Sequence, residues 1–306
     1  MRKKDSNGVS RRTFLKASGA ASAVLALGGC GFREKFFSSN DTIKEFIQRN
    51  FKEMSPEEIE EVRQRLLKQY KKKYGKDFVL GTEPPFANVA FAYGLDLSRC
   101  IGCRRCVYAC VQENNQSRRP EIQWIRVLRF KKGSMNFEES DHYYDPRMVP
   151  EEGYYYMPIQ CQQCENPPCV KVCPTKATWK DSDGIVVIDY NWCIGCRYCM
   201  AACPYWARRF NFAEPEIPEE EINLNLHYLG NRPRMRGVVE KCTFCVQRTR
   251  RGRYPACVEV CPVGARKFGN ILDPKSEISQ IIEKQRVFRI KEDLNTQSRF
   301  YYFFSI

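Results

Sequence analysis

The chain has 306 residues with a formal net charge of +14, and 17 of its residues are cysteines against only two histidines. No stretch approaches the roughly 20 apolar residues that span a bilayer, so the chain has no transmembrane helix of its own. The positive charge suggests nucleic acid until it is apportioned. Residues 1–29 hold six Lys or Arg against Asp5, leaving +9 for the remainder.

In chain order, residues 1–29 read as an export signal. Ser10-Arg11-Arg12-Thr13-Phe14-Leu15-Lys16 follows a basic start and fits the twin-arginine pattern. A small-residue apolar run, Ala17 to Gly29, comes next. Leu27-Gly28-Gly29-Cys30 resembles a lipobox, which marks Cys30 as a candidate lipidation site; the alternative is a chance cysteine beside an ordinary cleavage site. Twin-arginine export carries folded cargo, which suits clusters assembled before the thiols meet an oxidising compartment.

Residues 30–85 are expected to form a helical N-terminal extension. Asp41 caps one helix with Ile43, Phe46, Ile47 and Phe51 on a face. A second starts at Ser55-Pro56-Glu57-Glu58, with Ile59, Val62, Leu66 and Tyr70 recurring at three and four, acids first and lysines last before Gly75. It either packs on its own core or docks a partner.

The core is assigned to residues 86–270. Phe86–Leu97, Ile122–Phe130 and Tyr154–Gln160 read as strands feeding cysteine loops. The first tetrad is Cys100, Cys103, Cys106 and Cys110, and the second is Cys161, Cys164, Cys169 and Cys173. The third, Cys193, Cys196, Cys199 and Cys203, is the C-x2-C-x2-C-x3-C-P run of two-cluster ferredoxins. The fourth is Cys242, Cys245, Cys257 and Cys261. Sixteen thiolates serve four [4Fe–4S] clusters with none left over. Gly102 and Gly195 fall where the backbone must approach sulfide or adopt positive φ.

Because the fourth cysteine of such a run ligates the neighbouring cluster, the tetrads pair. Residues 161–204, with a strand at Gly184–Asp189, form an inner module. Cluster two then takes Cys161, Cys164, Cys169 and Cys203, and cluster three takes Cys193, Cys196, Cys199 and Cys173. In the outer module cluster one takes Cys100, Cys103, Cys106 and Cys261, and cluster four takes Cys242, Cys245, Cys257 and Cys110. Structural zinc and a disulfide framework are the alternatives; repeated triplets closed by Cys-Pro argue against the first.

Arg104, Arg105, Arg197, Arg208 and Arg209 read as compensation for buried anions. Residues 204–241 read as a long surface connection. In the tail, 271–306, a short helix is expected over Ser276–Lys284 and a packed aromatic strand over Arg299–Phe304. His142 and His227 read as surface residues. No haem motif, nucleotide fingerprint, nucleophile or acid–base pair stands out, so no residue is assigned a catalytic role and a DNA or RNA partner is not called for.

The second and fourth tetrads, with their x4 and x11 gaps, resemble those of the four-cluster, polyferredoxin-like electron-transfer subunits of the DMSO reductase type, in the Tat-exported periplasmic branch. That resemblance implies an α+β fold of two ferredoxin-like modules with pseudo-twofold symmetry. It also implies a non-catalytic subunit relaying electrons between a polytopic quinone-interacting membrane subunit and a molybdopterin oxidoreductase, a hydrogenase or a multihaem cytochrome. A free periplasmic ferredoxin-like carrier is the alternative. The expected place is the periplasmic side of the cytoplasmic membrane.

Overall fold

A computed structural model describes residues 55–305. The export signal, Cys30 and the helix expected after Asp41 lie outside the described residues. Helix α1 (Pro56–Tyr74) begins as its sequence demands. Ser55 Oγ accepts from the Glu58 N–H while the Glu58 carboxylate accepts from the Ser55 N–H, a reciprocal cap that satisfies two otherwise unpaired donors. Gly75 closes the helix at φ +65°. Its buried face, Leu66, Tyr70 and Tyr74, packs on Ile217, Ile222 and Leu226 of the same chain. The helix therefore lies on its own core.

The remaining elements are short. Strand β1 (Val79–Gly81) is followed by β2 (Phe91–Asp96), α2 (Arg105–Glu113), β3 (Arg126–Lys131) and β4 (Tyr154–Ile159). Next come α3 (Pro168–Lys171), β5 (Thr178–Lys180), β6 (Val186–Ile188), α4 (Tyr198–Ala201), β7 (Arg209–Phe210), β8 (Asn225–His227) and β9 (Val239–Glu240). Helices α5 (Val246–Thr249) and α6 (Ala256–Glu259), strand β10 (Arg266–Asn270), helix α7 (Glu277–Lys284) and strand β11 (Phe300–Phe303) complete the described residues.

The sheets are small, and each steadies a cysteine loop. Strand β2 sits between antiparallel β10 and parallel β11. The aromatic tail is thus a strand: Phe300 stacks on Tyr93 at 4.6 Å between ring centroids. Strands β3 and β4 pair antiparallel, as do β5 with β6 and β7 with β9, and β1 runs parallel to β8. The helices meet in two pairs, α2 on α6 and α3 on α4, joining the first tetrad to the fourth and the second to the third.

Two expected strands start late. Pro84-Pro85 and the turn after Phe86 delay β2 to Phe91, and β3 opens only at Arg126 although Ile122, Trp124 and Ile125 are already buried. Strand β10 alternates in burial but not in apolar residues, because Arg266 occupies a buried position.

The connection 204–241 is a correction to the sequence reading. It is not a solvated excursion: Asn231, Arg232, Arg234 and His227 are buried. Arg232 pairs with Asp189 at 3.1 Å, and Arg234 pairs with Glu240 at 2.7 Å while donating to the Asn114 carbonyl. Charged residues read as surface from sequence because an isolated buried charge is costly; here each is paired.

His227 is likewise no surface residue, at 1% exposed. Its Nδ1 accepts from the Leu229 N–H and its Nε2 donates to the Glu83 carbonyl, which selects the neutral ring. Burial is the main cause that lowers its pKa to about 4. The ring therefore stays neutral in the fold while the unfolded chain takes up a proton below its ordinary pKa, about 6.5. Stability should fall as pH drops from about 6.5 to about 4, and His227→Gln should flatten that part of an anaerobic acid-unfolding curve. Identical acid curves for the two proteins would remove the buried histidine from the account.

Candidate metal centres

Each tetrad loop has a residue in the left-handed conformation two positions past its first cysteine. Gly102 has φ +75° and Gly195 +74°, and the same place is held by Gln163 at +46° and Phe244 at +54°. The sequence identifies the first two only, because glycine advertises that conformation and Gln or Phe does not. A Cβ on Gly102 would sit 2.4 Å from the Tyr156 ring, and one on Gly195 2.3 Å from the Gly237 carbonyl oxygen. The third cysteine of each tetrad falls in the first turns of a short helix: Cys106 in α2, Cys169 in α3, Cys199 in α4 and Cys257 in α6. The fourth follows its helix, except Cys110, which stays inside α2.

The thiols come together across tetrads. One cavity is lined by Cys100, Cys103, Cys106 and Cys261, with Gly102 and Arg266 in its wall. Another is lined by Cys173, Cys193, Cys196 and Cys199, with Gly195 and Arg208. Burial pushes the Cys164 thiol up to about 12, and Cys161, Cys169 and Cys203 are the thiols that raise it further. Burial also drives Cys110 up strongly, with Cys245, Cys242 and Cys257 beside it. Gln163, in the loop of the second tetrad, donates to the Cys242 carbonyl at 2.8 Å, so the second and fourth tetrads are neighbours.

These pockets suit iron–sulfur clusters. Four thiols face each of the two cavities, and among the described residues no three His, Cys, Asp or Glu side chains converge as ligands of a single ion do. Donors surround the sulfurs. Asn114 Nδ2 lies 3.6 Å from both Cys110 Sγ and Cys245 Sγ, and Gln116 Nε2 lies 3.1 Å from Cys110 Sγ. Tyr93 Oη is 3.3 Å from Cys257 Sγ. Arg208 Nε and Nη1, in the wall of the second cavity, have no hydrogen-bond partner among the described residues. Such N–H groups are what a cluster's sulfurs accept from.

The five arginines expected beside the tetrads divide. Arg208 is 2% exposed and donates to Cys169 Sγ at 3.0 Å. Arg104 stacks on Tyr144 and donates to the His142 carbonyl, Arg197 lies over Phe210 and Phe212, and Arg209 donates to the Gln123 and Trp206 carbonyls. Arg105 is exposed. The contact that sequence reasoning missed is Arg266, which donates to Cys106 Sγ at 3.2 Å. Its signal was present: Arg208 and Arg266 each stand five residues after a Cys-Pro cysteine. Lys241 is also buried, its Nζ donating to the Val186 and Cys242 carbonyls.

Exposure is graded. Cys196 is the one exposed cysteine among the described residues; Cys100, Cys103, Cys161 and Cys261 are half-buried, and Cys110, Cys242, Cys245 and Cys257 are all buried.

Two family descriptions, each reading "4Fe-4S dicluster domain", match residues 153–218 and residues 99–177 with 192–265. A third, for the twin-arginine translocation pathway signal sequence, matches residues 8–28. The chain is 41% identical over 239 residues to the Hdr-like menaquinol oxidoreductase iron-sulfur subunit 1 of Archaeoglobus fulgidus, covering 69% of this chain and 82% of that protein. A selenate reductase subunit of Mesobacillus selenatarsenatis is 35% identical over 318 aligned positions, 99% of both proteins. A polysulfide reductase chain of Wolinella succinogenes is 35% identical over 218 residues, 70% of this protein and 94% of that one.

Gly195→Ala should cost the protein about four of its irons, since both the required φ and the Gly237 carbonyl exclude a methyl group. Iron and acid-labile sulfide assayed on anaerobically purified protein give the answer, and full wild-type content would contradict the geometry.

Proposed function

This protein belongs to the 4Fe-4S dicluster family of iron–sulfur subunits of reductase complexes, and from that membership we propose that it conducts electrons along four [4Fe–4S] sites in the order one, four, two, three. It is an electron-transfer subunit, not the catalytic one, exported by the twin-arginine route. When bound, each cluster supplies reversible one-electron storage at a potential set by its surroundings.

We assign Cys100, Cys103, Cys106 and Cys261 to site one, and Cys110, Cys242, Cys245 and Cys257 to site four. Site two takes Cys161, Cys164, Cys169 and Cys203, and site three takes Cys173, Cys193, Cys196 and Cys199. The observation that carries the order is the unbroken succession of thiol neighbours. Arg266 donates to Cys106 and reaches Cys257 through Tyr93, Gln163 in the second tetrad donates to the Cys242 carbonyl, and Arg208 donates to Cys169 while lining the cavity of Cys199. The two ends of that succession hold all the exposed or half-buried cysteines but Cys161 of site two, while the thiols of site four are buried. Relays need accessible ends and a protected middle. The pairing of α2 with α6 and α3 with α4 supports two modules related by an approximate internal twofold axis.

Relatives named for menaquinol oxidation and polysulfide or selenate reduction support a heteromeric complex. One partner is a polytopic membrane subunit that exchanges electrons with quinol. The other is a periplasmic redox subunit of molybdopterin, hydrogenase or multihaem cytochrome type. Exposed Ile194 and Tyr198 beside Cys196 form an apolar contact face at the site-three end. Lipidation of Cys30, which the lipobox-like Leu27-Gly28-Gly29 favours, adds a tether of modest strength.

Anaerobic preparations should carry about sixteen irons per chain and develop paramagnetic signals on reduction; about eight irons would halve the relay and end the four-site reading. Cys257→Ser, in the buried middle, should slow transfer from quinol to a periplasmic acceptor more than about tenfold. Stopped-flow reduction at wild-type speed would take site four out of the path.

A further inference from the structure

Three of the four tetrads end in the same six-residue turn. Cys173-Pro-Thr-Lys-Ala-Thr178, Cys203-Pro-Tyr-Trp-Ala-Arg208 and Cys261-Pro-Val-Gly-Ala-Arg266 share a left-handed fourth residue (Lys176 at +50°, Trp206 at +49°, Gly264 at +60°) and a buried alanine. The shared turn delivers the sixth residue to an equivalent place at or just before the strand that follows. In the module of sites two and three that residue is Thr178 on one side and Arg208 on the other, and Arg208 Nη2 donates to Thr178 Oγ1 at 3.0 Å. In the module of sites one and four it is Arg266.

Both arginines occupy the middle of a cluster pair. Arg208 Nη2 is 3.0 Å from Cys169 Sγ of site two, and the same side chain stands in the wall of the cavity that Cys173, Cys193, Cys196 and Cys199 of site three line. Arg266 Nη2 is 3.2 Å from Cys106 Sγ of site one, while its Nη1 donates to Tyr93 Oη at 2.9 Å, and that hydroxyl lies 3.3 Å from Cys257 Sγ of site four. In each module a buried guanidinium stands between the sulfurs of one site and those of the other. A buried cation without a carboxylate partner is costly, and no ion pair joins either arginine to an Asp or Glu among the described residues. The charge each answers is therefore that of the sulfurs.

We infer that Arg208 and Arg266 are bridging residues, each acting on two clusters at once to raise both reduction potentials. An electron placed on either site of a pair meets the same fixed cation, in an interior where charges are poorly screened. The planar guanidinium suits the role because its fork reaches in two directions; an ammonium reaches in one. The inference rests on the four-site pairing proposed above. Iron content and the number of reduced signals test that pairing, whereas the pattern of shifts described next tests the arginines.

The experiment is an EPR-monitored redox titration of the full chain, purified without air, as wild type and as Arg208→Gln, Arg266→Gln and the two Lys variants. Each Gln variant should lower two of the four midpoint potentials by about tenfold in the one-electron equilibrium, about 59 mV. The pair moved by Arg208→Gln should be the pair left in place by Arg266→Gln. A shift confined to one signal, spread over all four, or absent overturns the inference. Should a Gln variant load too little iron, its Lys counterpart decides: one potential of the pair should fall about tenfold and the other should stay. Both unchanged, or both falling together, would overturn it equally.

Discussion

Burying anionic sulfur is the constraint on which the rest of this structure depends. A cluster held by four thiolates is a net anion, and moving such a group out of water is unfavourable unless donors and cations replace the lost solvation. The chain replaces it with backbone N–H groups of the tetrad loops, the amides of Asn114 and Gln116, the hydroxyl of Tyr93 and two guanidinium groups. Peptide groups turned toward sulfur are not available for ladders. That is why, among the described residues, most helices run a single turn and four of the five sheets have two strands.

The same constraint explains the weight of polar and aromatic groups in the interior. Asn114 touches two cysteine sulfurs, and its carbonyl accepts from Arg234, whose own charge is met by Glu240. Trp124 donates to that same Glu240. One network thus runs from the connection after the third tetrad, through a buried ion pair, to the ligands of the first and fourth. A half-satisfied network of this kind would cost more than an apolar core, so its members stand or fall together. Segment 204–241 is thereby part of the scaffold that orients Cys110 and Cys245.

A conductor must also reconcile protection with access. The thiols of Cys110, Cys242, Cys245 and Cys257 are shut away from solvent, while Cys196 is open and Cys100, Cys103, Cys161 and Cys261 are partly so. Burial lowers the local dielectric and sharpens every charge–charge effect, so fixed cations act most strongly on the protected thiols. The open thiols are where partners must come close, and exposed Ile194 and Tyr198 flank Cys196.

The gathering of cysteines was legible in the sequence because their spacing is a covalent ruler: loops of two residues hold successive thiols close together wherever they occur. Local signals were equally plain, as in the Ser55 cap, the Gly75 stop, the left-handed Gly102 and Gly195, and the helix that opens after Ser276. What spacing does not encode is which charges the fold will bury. Arg232, Arg234, Arg266 and His227 read as surface residues in a linear chain, since burial becomes favourable only when a partner distant in sequence arrives. Asp189, Glu240, Cys106 and Glu83 are those partners, separated from them by between 6 and 160 residues. The sequence by itself determined the chemistry of the protein, because four thiols in such loops call for iron. Tertiary structure alone decided which arginines stand between the thiols, because a cation's place is set by the three-dimensional field of the anions around it.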